Sequence, residues 1–218
     1  MYALVTGGGG FLGRYIVEQL LARGDEVAIF ARGDYPEVVT LGARQFRGDL
    51  QDAEAVAAAC AGCDVVFHIA AKAGHWGPWE SFYGPNVRGT QNVIDGCRKQ
   101  GVPRLVHCSS PSVIFDNTSQ EGVNEDYPYP ERYESPYPHT KALAEQLVTA
   151  ANSPELLTVS LRPHLIFGPR DRHLMPALLA SARGGTLPQV GDGTNRVDLT
   201  YVEDAARAHL LAADALAP

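Results

Sequence analysis

Hydrophobic residues lie along this chain in short apolar runs that alternate with longer amphipathic segments. Such runs are typical of parallel strands that are covered on both faces of a sheet. We predict strands at Tyr2–Thr6, Glu26–Ala31, Arg44–Arg47, Asp64–Ile69, Arg104–Ser109 and Leu157–Leu161. We predict helices at Phe11–Arg23, Ala53–Cys60, Phe82–Gln100 and Tyr137–Ala151. The alternation predicts an α/β fold with a doubly wound parallel sheet, which binds ligands at the carboxyl ends of its strands.

The regular alternation ends near residue 161. Before that point, residues 111–136 contain four prolines and many polar side chains, which predicts a long irregular segment with a functional role. Beyond it, we predict a helix at His173–Arg183 and a short strand followed by a helix in VDLTYVEDAARAHLLAADAL. We therefore assign residues 1–161 to the sheet domain. Residues 162–218 are assigned to the start of a substrate-binding part, which we expect to be truncated, together with a returning strand and helix.

The first predicted helix follows a glycine-rich turn, GGGGFLG, at residues 7–13. Gly7, Gly10 and Gly13 have no Cβ, which allows a tight turn, a close approach of phosphate to the main chain, and close packing of helix on strand. The N–H groups and partial positive charge of the helix start then face the phosphates. A plain structural turn is the alternative. The position between an N-terminal strand and an amphipathic helix favours a dinucleotide-binding Rossmann fold.

The end of the second strand indicates which dinucleotide binds. An acid at this position usually binds the adenosine ribose hydroxyls, but here Ala31 and Arg32 occupy it. An arginine pairs with a ribose 2′-phosphate, so we expect NADP(H) rather than NAD(H); the alternative is a solvated surface arginine. Asp49, after the third strand, is placed to accept a hydrogen bond from adenine. Its alternative is a turn before a helix capped by Asp52, and both can hold.

Tyr137 and Lys141 carry the sharpest chemical signal. Residues four apart on a helix lie on one face, so the ammonium of Lys141 is expected near the phenol of Tyr137. A neighbouring positive charge stabilises phenolate and lowers the tyrosine pKa. A tyrosine tuned in this way can donate a proton to a carbonyl oxygen as hydride arrives, or accept one in the reverse reaction.

A serine at the end of the fifth strand is expected to orient the reacting oxygen, because this strand end lies on the same sheet edge. We select Ser110 from the segment HCSSPSV, with Ser112 and Ser109 as alternatives. Serines that cap turns at a strand end are an equally good interpretation of each.

Composition narrows the class of protein. The formal charge of −7, without a basic tract, argues against nucleic-acid binding. No apolar run is long enough for a membrane span, and the chain has no signal peptide, so we expect a cytoplasmic protein. Cys60 and Cys63 have the spacing of a metal-binding pair, but no second pair accompanies them. We expect free thiols and no metal.

Together these segments resemble the extended short-chain dehydrogenase/reductase family, the NAD-dependent epimerase/dehydratase superfamily. The resemblance rests on TGGGGFLG, GDL, HIAA, NVRGTQNV, HCSSPSV, YPHTK, LRPHLIFGP and YVEDAARAH, in this order. The subgroup is similar to 3β-hydroxysteroid dehydrogenases. The segments GDYPEV, AAKAGHWG and VGDGTNRVDLTYVEDAARAH are most similar to bacterial 2-alkyl-3-oxoalkanoate reductases.

The resemblance implies roles for individual residues. Tyr137 would be the acid/base, Lys141 its partner and a ribose ligand, and Ser110 a ligand of the substrate oxygen. Asn86 would organise a buried helix and a proton-relay water. The candidate cofactor contacts are Gly7, Gly9, Gly10, Phe11, Leu12, Gly13, Arg32, Asp49, Leu50, Ile69, Ala70, Ala71, Lys72, Ser109, Tyr137, Lys141, Pro163 and Leu165. The candidate substrate contacts are His75, Trp76, Ser112 and His164.

The expected activity is reduction of a ketone by NADPH, with a 2-alkyl-3-oxoalkanoic acid as substrate and a 3-hydroxy acid as product. The alternatives are a 3β-hydroxysteroid dehydrogenase, a nucleotide-sugar epimerase or dehydratase, and a non-catalytic dinucleotide sensor. His75 and Trp76 have a second interpretation as anchors of a hydrophobic loop. The resemblance further implies a homodimer through the helices at residues 82–100 and 137–151.

Overall fold

The computed structural model describes residues 1–74, 76–172, 174–185, 187, 189 and 191–216. The strands are β1 (Tyr2–Thr6), β2 (Glu26–Ala31), β3 (Arg44–Arg47), β4 (Val65–His68), β5 (Arg104–Cys108), β6 (Leu157–Leu161), β7 (Ile166–Phe167) and β8 (Thr200–Tyr201). The α-helices are α1 (Phe11–Ala22), α2 (Pro36–Thr40), α3 (Ala53–Cys60), α4 (Trp79–Tyr83), α5 (Gly89–Gln100), α6 (Pro136–Ala151), α7 (Leu174–Arg183) and α8 (Val202–Ala215).

Within the described residues, strands β1 to β6 form one parallel sheet in the order β3-β2-β1-β4-β5-β6. This confirms the predicted doubly wound fold. The first strand lies near the middle of the sheet, and the order reverses between β1 and β4. Clefts for ligands form at such a reversal, outside the carboxyl ends of the strands.

Helices cover both faces of the sheet because successive side chains of a buried strand point to opposite sides. In β1, Ala3 and Val5 pack with α1 and α8, whereas Leu4 packs with α3, α5 and α6. Helix α8 therefore returns to the core of the sheet domain, although it follows the boundary predicted at residue 161. None of the described helices is long and apolar enough to cross a membrane.

Several predicted boundaries need correction. Strand β4 is shorter than predicted by one residue at each end, and β5 and α1 are each shorter by one residue at the C-terminal end. Helix α6 begins one residue earlier than predicted, at Pro136, because proline suits the first helical turn. The predicted helix Phe82–Gln100 is not one α-helix, because a π-helical turn at Gly84–Arg88 separates α4 from α5. The predicted helix over 173–183 begins at Leu174 in the structure, and His173 lies outside the described residues.

Candidate active site

The glycine turn is held by backbone hydrogen bonds. Gly7 has a φ of +69°, which favours glycine, and its N–H donates to the carbonyl of Phe30 on β2 at 2.9 Å. The N–H of Gly10 donates to the carbonyl of Gly7 at 2.8 Å. A Cβ on Gly13 would overlap that same carbonyl group. The turn and the start of α1 therefore pack together at a distance that only glycine permits.

A cavity of about 520 Å³ lies over this turn, at the carboxyl ends of the strands. Its wall includes the following candidate cofactor contacts: Gly7, Gly10, Phe11, Leu12, Gly13, Arg32, Asp49, Leu50, Ile69, Ala70, Ala71 and Lys72. Gly9 is not in the wall, because the Tyr35 ring packs against it and fills the place of a Cβ. Gly10 precedes helix α1 and has no side chain to cap it, so the first N–H groups of the helix stay available.

Two side chains that were interpreted as adenosine contacts lie on the wall of this cavity. Arg32 is exposed, and the ion pairs found among the described residues do not include it. Asp49 uses one carboxylate oxygen to accept the N–H of Gln51 at 2.9 Å. Asp52 caps α3 by accepting the N–H of Ala55 at 3.1 Å. The prediction that Asp52 caps a helix is confirmed. Asp49 stabilises a turn and also lies in the cavity wall.

The loop after β4 forms another side of the cavity and is fixed from below. The Thr6 hydroxyl accepts the N–H groups of Ile69 and Ala70 at 3.1 and 3.2 Å. The side chain of Asn86 accepts the N–H of Lys72 at 2.7 Å and donates to the Lys72 carbonyl at 3.1 Å. This backbone is therefore placed by side chains that lie outside the cavity.

Asn86 is buried in the π-helical turn, and π-helical turns are frequent at functional sites. Besides its bonds to Lys72, it donates to the Thr140 hydroxyl on α6 at 3.0 Å. Asn86 thus ties the loop after β4 to the helix that carries Tyr137 and Lys141. These bonds give it a positioning role. Its predicted part in a proton relay stays a prediction.

A second cavity, of about 680 Å³, lies beside the first. Cys108 and Ile166 line both cavities, so the two are neighbours at these residues. The predicted site residues that line the second cavity are Trp76, Ser109, Ser110, Ser112, Tyr137, Pro163, His164 and Leu165. Pro163, Leu165 and Ser109 were predicted as cofactor contacts, but they line this second cavity rather than the first. Trp76 is 82% exposed, and His75 lies outside the described residues.

The pKa of Tyr137 is raised, which corrects the expectation of a lowered pKa. Burial is the largest cause and Cys108 adds to it, while hydrogen bonding with Ser110 acts in the opposite direction. Ser110 also pairs with the Ser112 hydroxyl at 2.9 Å and caps the 3₁₀ turn at Pro111–Ile114. The capping interpretation of Ser110 is confirmed, and its role as a ligand of the substrate oxygen stays a prediction.

Lys141 does not lower the pKa of Tyr137 as expected, because its ammonium is hydrogen-bonded to other groups. Its Nζ donates to the Cys108 carbonyl at 2.7 Å and lies 3.0 Å from Nε2 of His107. Burial lowers the pKa of Lys141 to about 8, although Cys108 and Glu145 oppose that shift. A lysine with such a pKa can lose or gain a proton near neutral pH.

Glu145, on the same helix, anchors α6 to the segment after β6. Its carboxylate accepts Nε of Arg162 at 3.1 Å and the Tyr129 hydroxyl at 2.7 Å. Burial raises the pKa of Glu145, but the hydrogen bonds from Arg162 and its neighbours outweigh burial and lower it. The pair therefore fixes the helix on which Tyr137 and Lys141 stand.

A model of the 3-beta hydroxysteroid dehydrogenase/isomerase family matches residues 4–218. The chain belongs to this family. It is 53% identical over 220 residues to a 2-alkyl-3-oxoalkanoate reductase of Stenotrophomonas maltophilia, an alignment that covers 100% of this chain and 67% of that protein. It is 44% identical over 218 residues to the decarboxylating sterol-4-alpha-carboxylate 3-dehydrogenase of Homo sapiens, which covers 97% and 57%. The chain thus spans 67% and 57% of the lengths of these curated relatives.

The structure is similar to that of Thermus thermophilus UDP-glucose 4-epimerase in complex with NAD. The TM-score is 0.81 at 34% sequence identity, and the match covers 98% of this chain and 74% of that one. The family assignment agrees with the predicted resemblance. The 34% identity to this epimerase shows that the chain is also similar to the epimerase/dehydratase superfamily that the sequence predicted.

In this family member, the structure adds one residue that the sequence interpretation did not select. His107 is fully buried in β5 and contacts the amine of Lys141. The signal was a histidine inside the apolar strand RLVHC, which by itself does not distinguish a satisfied core histidine from a functional one. The metal prediction concerned Cys60 and Cys63, whose thiols are free. Among the described residues, no cluster of three or more His, Cys, Asp and Glu side chains is placed to hold a metal ion.

Proposed function

We propose that this chain forms the dinucleotide-binding and catalytic part of an NADP(H)-dependent ketoreductase that acts on a 2-alkyl-3-oxoalkanoic acid. The observation that carries the proposal is the contact between the two cavities at Cys108 and Ile166. Tyr137 and Ser110 line the cavity on one side of this boundary, and the glycine turn lines the other. A donor of hydride and a carbonyl substrate can meet at such a boundary.

A nicotinamide dinucleotide fits the first cavity. Gly13 lets the start of α1 pack directly on the glycine turn, and the N–H groups at that helix start suit a pyrophosphate. The structure of Thermus thermophilus UDP-glucose 4-epimerase, which contains NAD, supports the same class of cofactor. Arg32 supports NADP(H) over NAD(H), because the exposed guanidinium on the wall is available to a 2′-phosphate. Asp49 would hold the adenosine, and Lys72 would hold the middle section of the dinucleotide.

The chemistry of the chain's own residues is acid catalysis. The bound nicotinamide would supply hydride to the ketone carbon. Tyr137 holds its proton at neutral pH because its pKa is raised, and it donates that proton to the developing alkoxide. The Ser110 hydroxyl orients the same oxygen. Lys141, with a pKa of about 8, binds ribose hydroxyls of the cofactor, and the phenolate regains its proton from solvent.

The substrate class follows from the second cavity and from the names of the relatives. A 2-alkyl-3-oxoalkanoate and the 3-oxo form of a sterol-4-carboxylate both carry a carboxylate on the carbon next to the ketone. The cavity offers Trp76, Phe115 and Leu165 as apolar surface for alkyl groups. Arg132 and His164 lie in the same wall and suit a carboxylate.

A nucleotide-sugar epimerase is the second candidate, because the likeness to UDP-glucose 4-epimerase reaches 34% identity. The test is a panel of a 2-alkyl-3-oxo acid with its 3-hydroxy acid, a 3β-hydroxysteroid and UDP-glucose, followed by nicotinamide absorbance and by product analysis. Turnover confined to the oxo acid and its alcohol supports the proposal. Turnover of UDP-glucose or of the steroid replaces it, and cofactor binding without any turnover favours a dinucleotide sensor.

The oligomeric part of the proposal is a homodimer. Helices α5 and α6 lie side by side and contact each other, so their outer surfaces form one continuous face. A dimer through this face would place the two helices of one protomer against those of its partner. Sedimentation analysis of the purified chain tests this, and a monomer at high concentration contradicts it.

A further inference from the structure

Beneath the Lys141 amine lie two polar side chains, the buried His107 and the half-buried Ser160. Nε2 of His107 is 3.0 Å from Nζ of Lys141, and its Nδ1 is 3.1 Å from the Ser160 hydroxyl. His107 and Lys141 are 0% and 3% exposed. The sheet register places His107 directly opposite Ser160, on neighbouring strands. The backbone pairing of β5 and β6 therefore fixes the contact.

The chemistry of the three groups determines which atom donates in each of these hydrogen bonds. A protonated lysine has three donors and no acceptor, so Nε2 of His107 must present a lone pair to it. The proton of a neutral imidazole then sits on Nδ1, where the Ser160 hydroxyl accepts it. Burial lowers the pKa of His107 well below its usual range, and Lys141 lowers it further, so the ring stays neutral.

We propose that His107 and Ser160 are positioning residues for Lys141. His107 accepts one ammonium N–H, the Cys108 carbonyl accepts a second, and the third remains for the cofactor ribose. The Lys141 ammonium sets the tautomer of His107, and the Ser160 hydroxyl accepts the Nδ1 proton of that tautomer. The proposal rests on the proposed function, because it assigns a task to the lysine of that site.

The neighbouring histidine shows the contrast with a structural role. His68 stacks on His107 with ring centroids 5.6 Å apart, but its nitrogens contact the hydroxyls of Thr6 and Thr90 at 2.8 and 2.9 Å. These partners adapt to either tautomer, because hydroxyls both donate and accept. The partner of His107 is an amine that only donates when it is protonated.

The other charged or titratable groups near this pair come from four elements. Cys108 on β5 and Glu145 on α6 act on the Lys141 pKa, and both raise it. His68 on β4 and His209 on α8 act on His107, and both lower its pKa. The pKa values of these two histidines are themselves lowered by burial, so they are neutral at pH 7. His107 is thus the neutral acceptor at the amine.

Removal of this acceptor shifts the pKa of Lys141 in a predictable direction. A hydrogen bond to the charged form of a base favours that form, so His107→Leu lowers the Lys141 pKa further, by roughly one unit. His107→Gln offers an amide oxygen at a similar position and restores much of the effect. Ser160→Ala removes the acceptor of the Nδ1 proton, which makes Nε2 a weaker acceptor and produces a smaller shift of the Lys141 pKa with the same sign. Thr158→Val is the matched control, since Thr158 on the same strand donates to Val148 and not to the site.

The first readout needs neither cofactor nor substrate. Nitrogen NMR of the histidine rings in the purified chain is expected to show His107 neutral, with its proton on Nδ1, at about pH 6 to 7, where Lys141 is protonated. Ser160→Ala is expected to move the Nδ1 signal while the proton stays on Nδ1, because the hydroxyl that accepts this proton is lost, whereas Thr158→Val leaves the ring signals unchanged. A proton on Nε2 in the unaltered protein overturns the proposal, whatever its enzymatic activity.

The second readout is the alkaline limb of kcat/KM for ketone reduction. The limb should move to lower pH in His107→Leu, return towards the original position in His107→Gln, and stay in place in Thr158→Val. Equal limbs in the Leu and Gln variants contradict the positioning role. If no substrate is turned over, the proposed function fails, and the NMR measurement still decides this inference. Misfolding of His107→Leu leaves Ser160→Ala and the unaltered protein as tests.

Discussion

Arg32 allows a direct test of cofactor preference. The expected consequence of Arg32→Ala is a selective loss of NADPH affinity, because only NADPH carries the 2′-phosphate that the guanidinium can bind. The side chain lies on the cavity wall but is exposed, so water and salt weaken the pair. Hydrogen bonds to charged groups contribute about 1.5–3 kcal/mol, and exposed ion pairs about 1 kcal/mol or less.

We take roughly 1.4 kcal/mol for this half-screened pair, which corresponds to about a tenfold rise in the Kd for NADPH. The Kd for NADH should stay within about twofold, and the difference should shrink as salt rises. Titration calorimetry with both dinucleotides at low and high salt measures these values. Arg47→Ala is the control, since Arg47 is exposed at the end of β3 and is not in the cavity wall. An equal loss for both dinucleotides, or no loss for either, refutes the reasoning.

Further outcomes follow from the glycine turn, the buried ion pair and the buried amine. Gly13→Ala should lower the free energy of unfolding by about 1–3 kcal/mol in thermal melts and weaken NADPH binding, because the methyl overlaps the rigid Gly7 carbonyl. Glu145→Gln should cost about 2 kcal/mol in urea unfolding at neutral pH, since it leaves Arg162 without a carboxylate. The pKa of Glu145 is lowered in the fold, so its contribution is present above its unfolded pKa and is lost as pH falls through the folded pKa. The kcat/KM for reduction should fall as pH rises above about 8, where Lys141 loses its proton. Unchanged melts, pH-independent stability differences and a flat alkaline profile would each contradict the corresponding reasoning.

The sheet could be predicted from sequence because its signals are local. Buried parallel strands are continuous apolar runs, and β1, β2, β3 and β6 have the bounds predicted for them. The glycine spacing likewise predicted both the turn and its partner helix. Short elements were missed: α2 at Pro36–Thr40 is one turn of helix, too short for a periodic pattern.

The interruption of the helix at Gly84–Arg88 has a tertiary cause that no periodicity reports. Asn86 bonds to the loop after β4 and to α6, and these contacts hold the π-helical turn in place. Sequence correctly marked Asn86 as important, but only through a family resemblance. What it contacts depends on three elements that are distant in the chain.

The electrostatics of the site was the least predictable part. Spacing alone places Tyr137 and Lys141 on one face of α6, and it suggests that the lysine lowers the tyrosine pKa. Burial raises the pKa of Tyr137 instead, and the amine is bonded to His107 and Cys108. The burial of Tyr137 and the position of His107 and Cys108 on a neighbouring strand decide these two results. The spacing of Tyr137 and Lys141 in the sequence reports neither.

The central claim is that Tyr137 donates a proton to the ketone at the boundary of the two cavities. Its most direct test is the kcat of Tyr137→Phe, measured together with the Kd for NADPH. A positioned general acid contributes about 10²–10⁴-fold to a rate. We predict a loss of kcat of that size with an NADPH affinity equal to that of the unaltered protein. Retained turnover with intact cofactor binding would contradict the account.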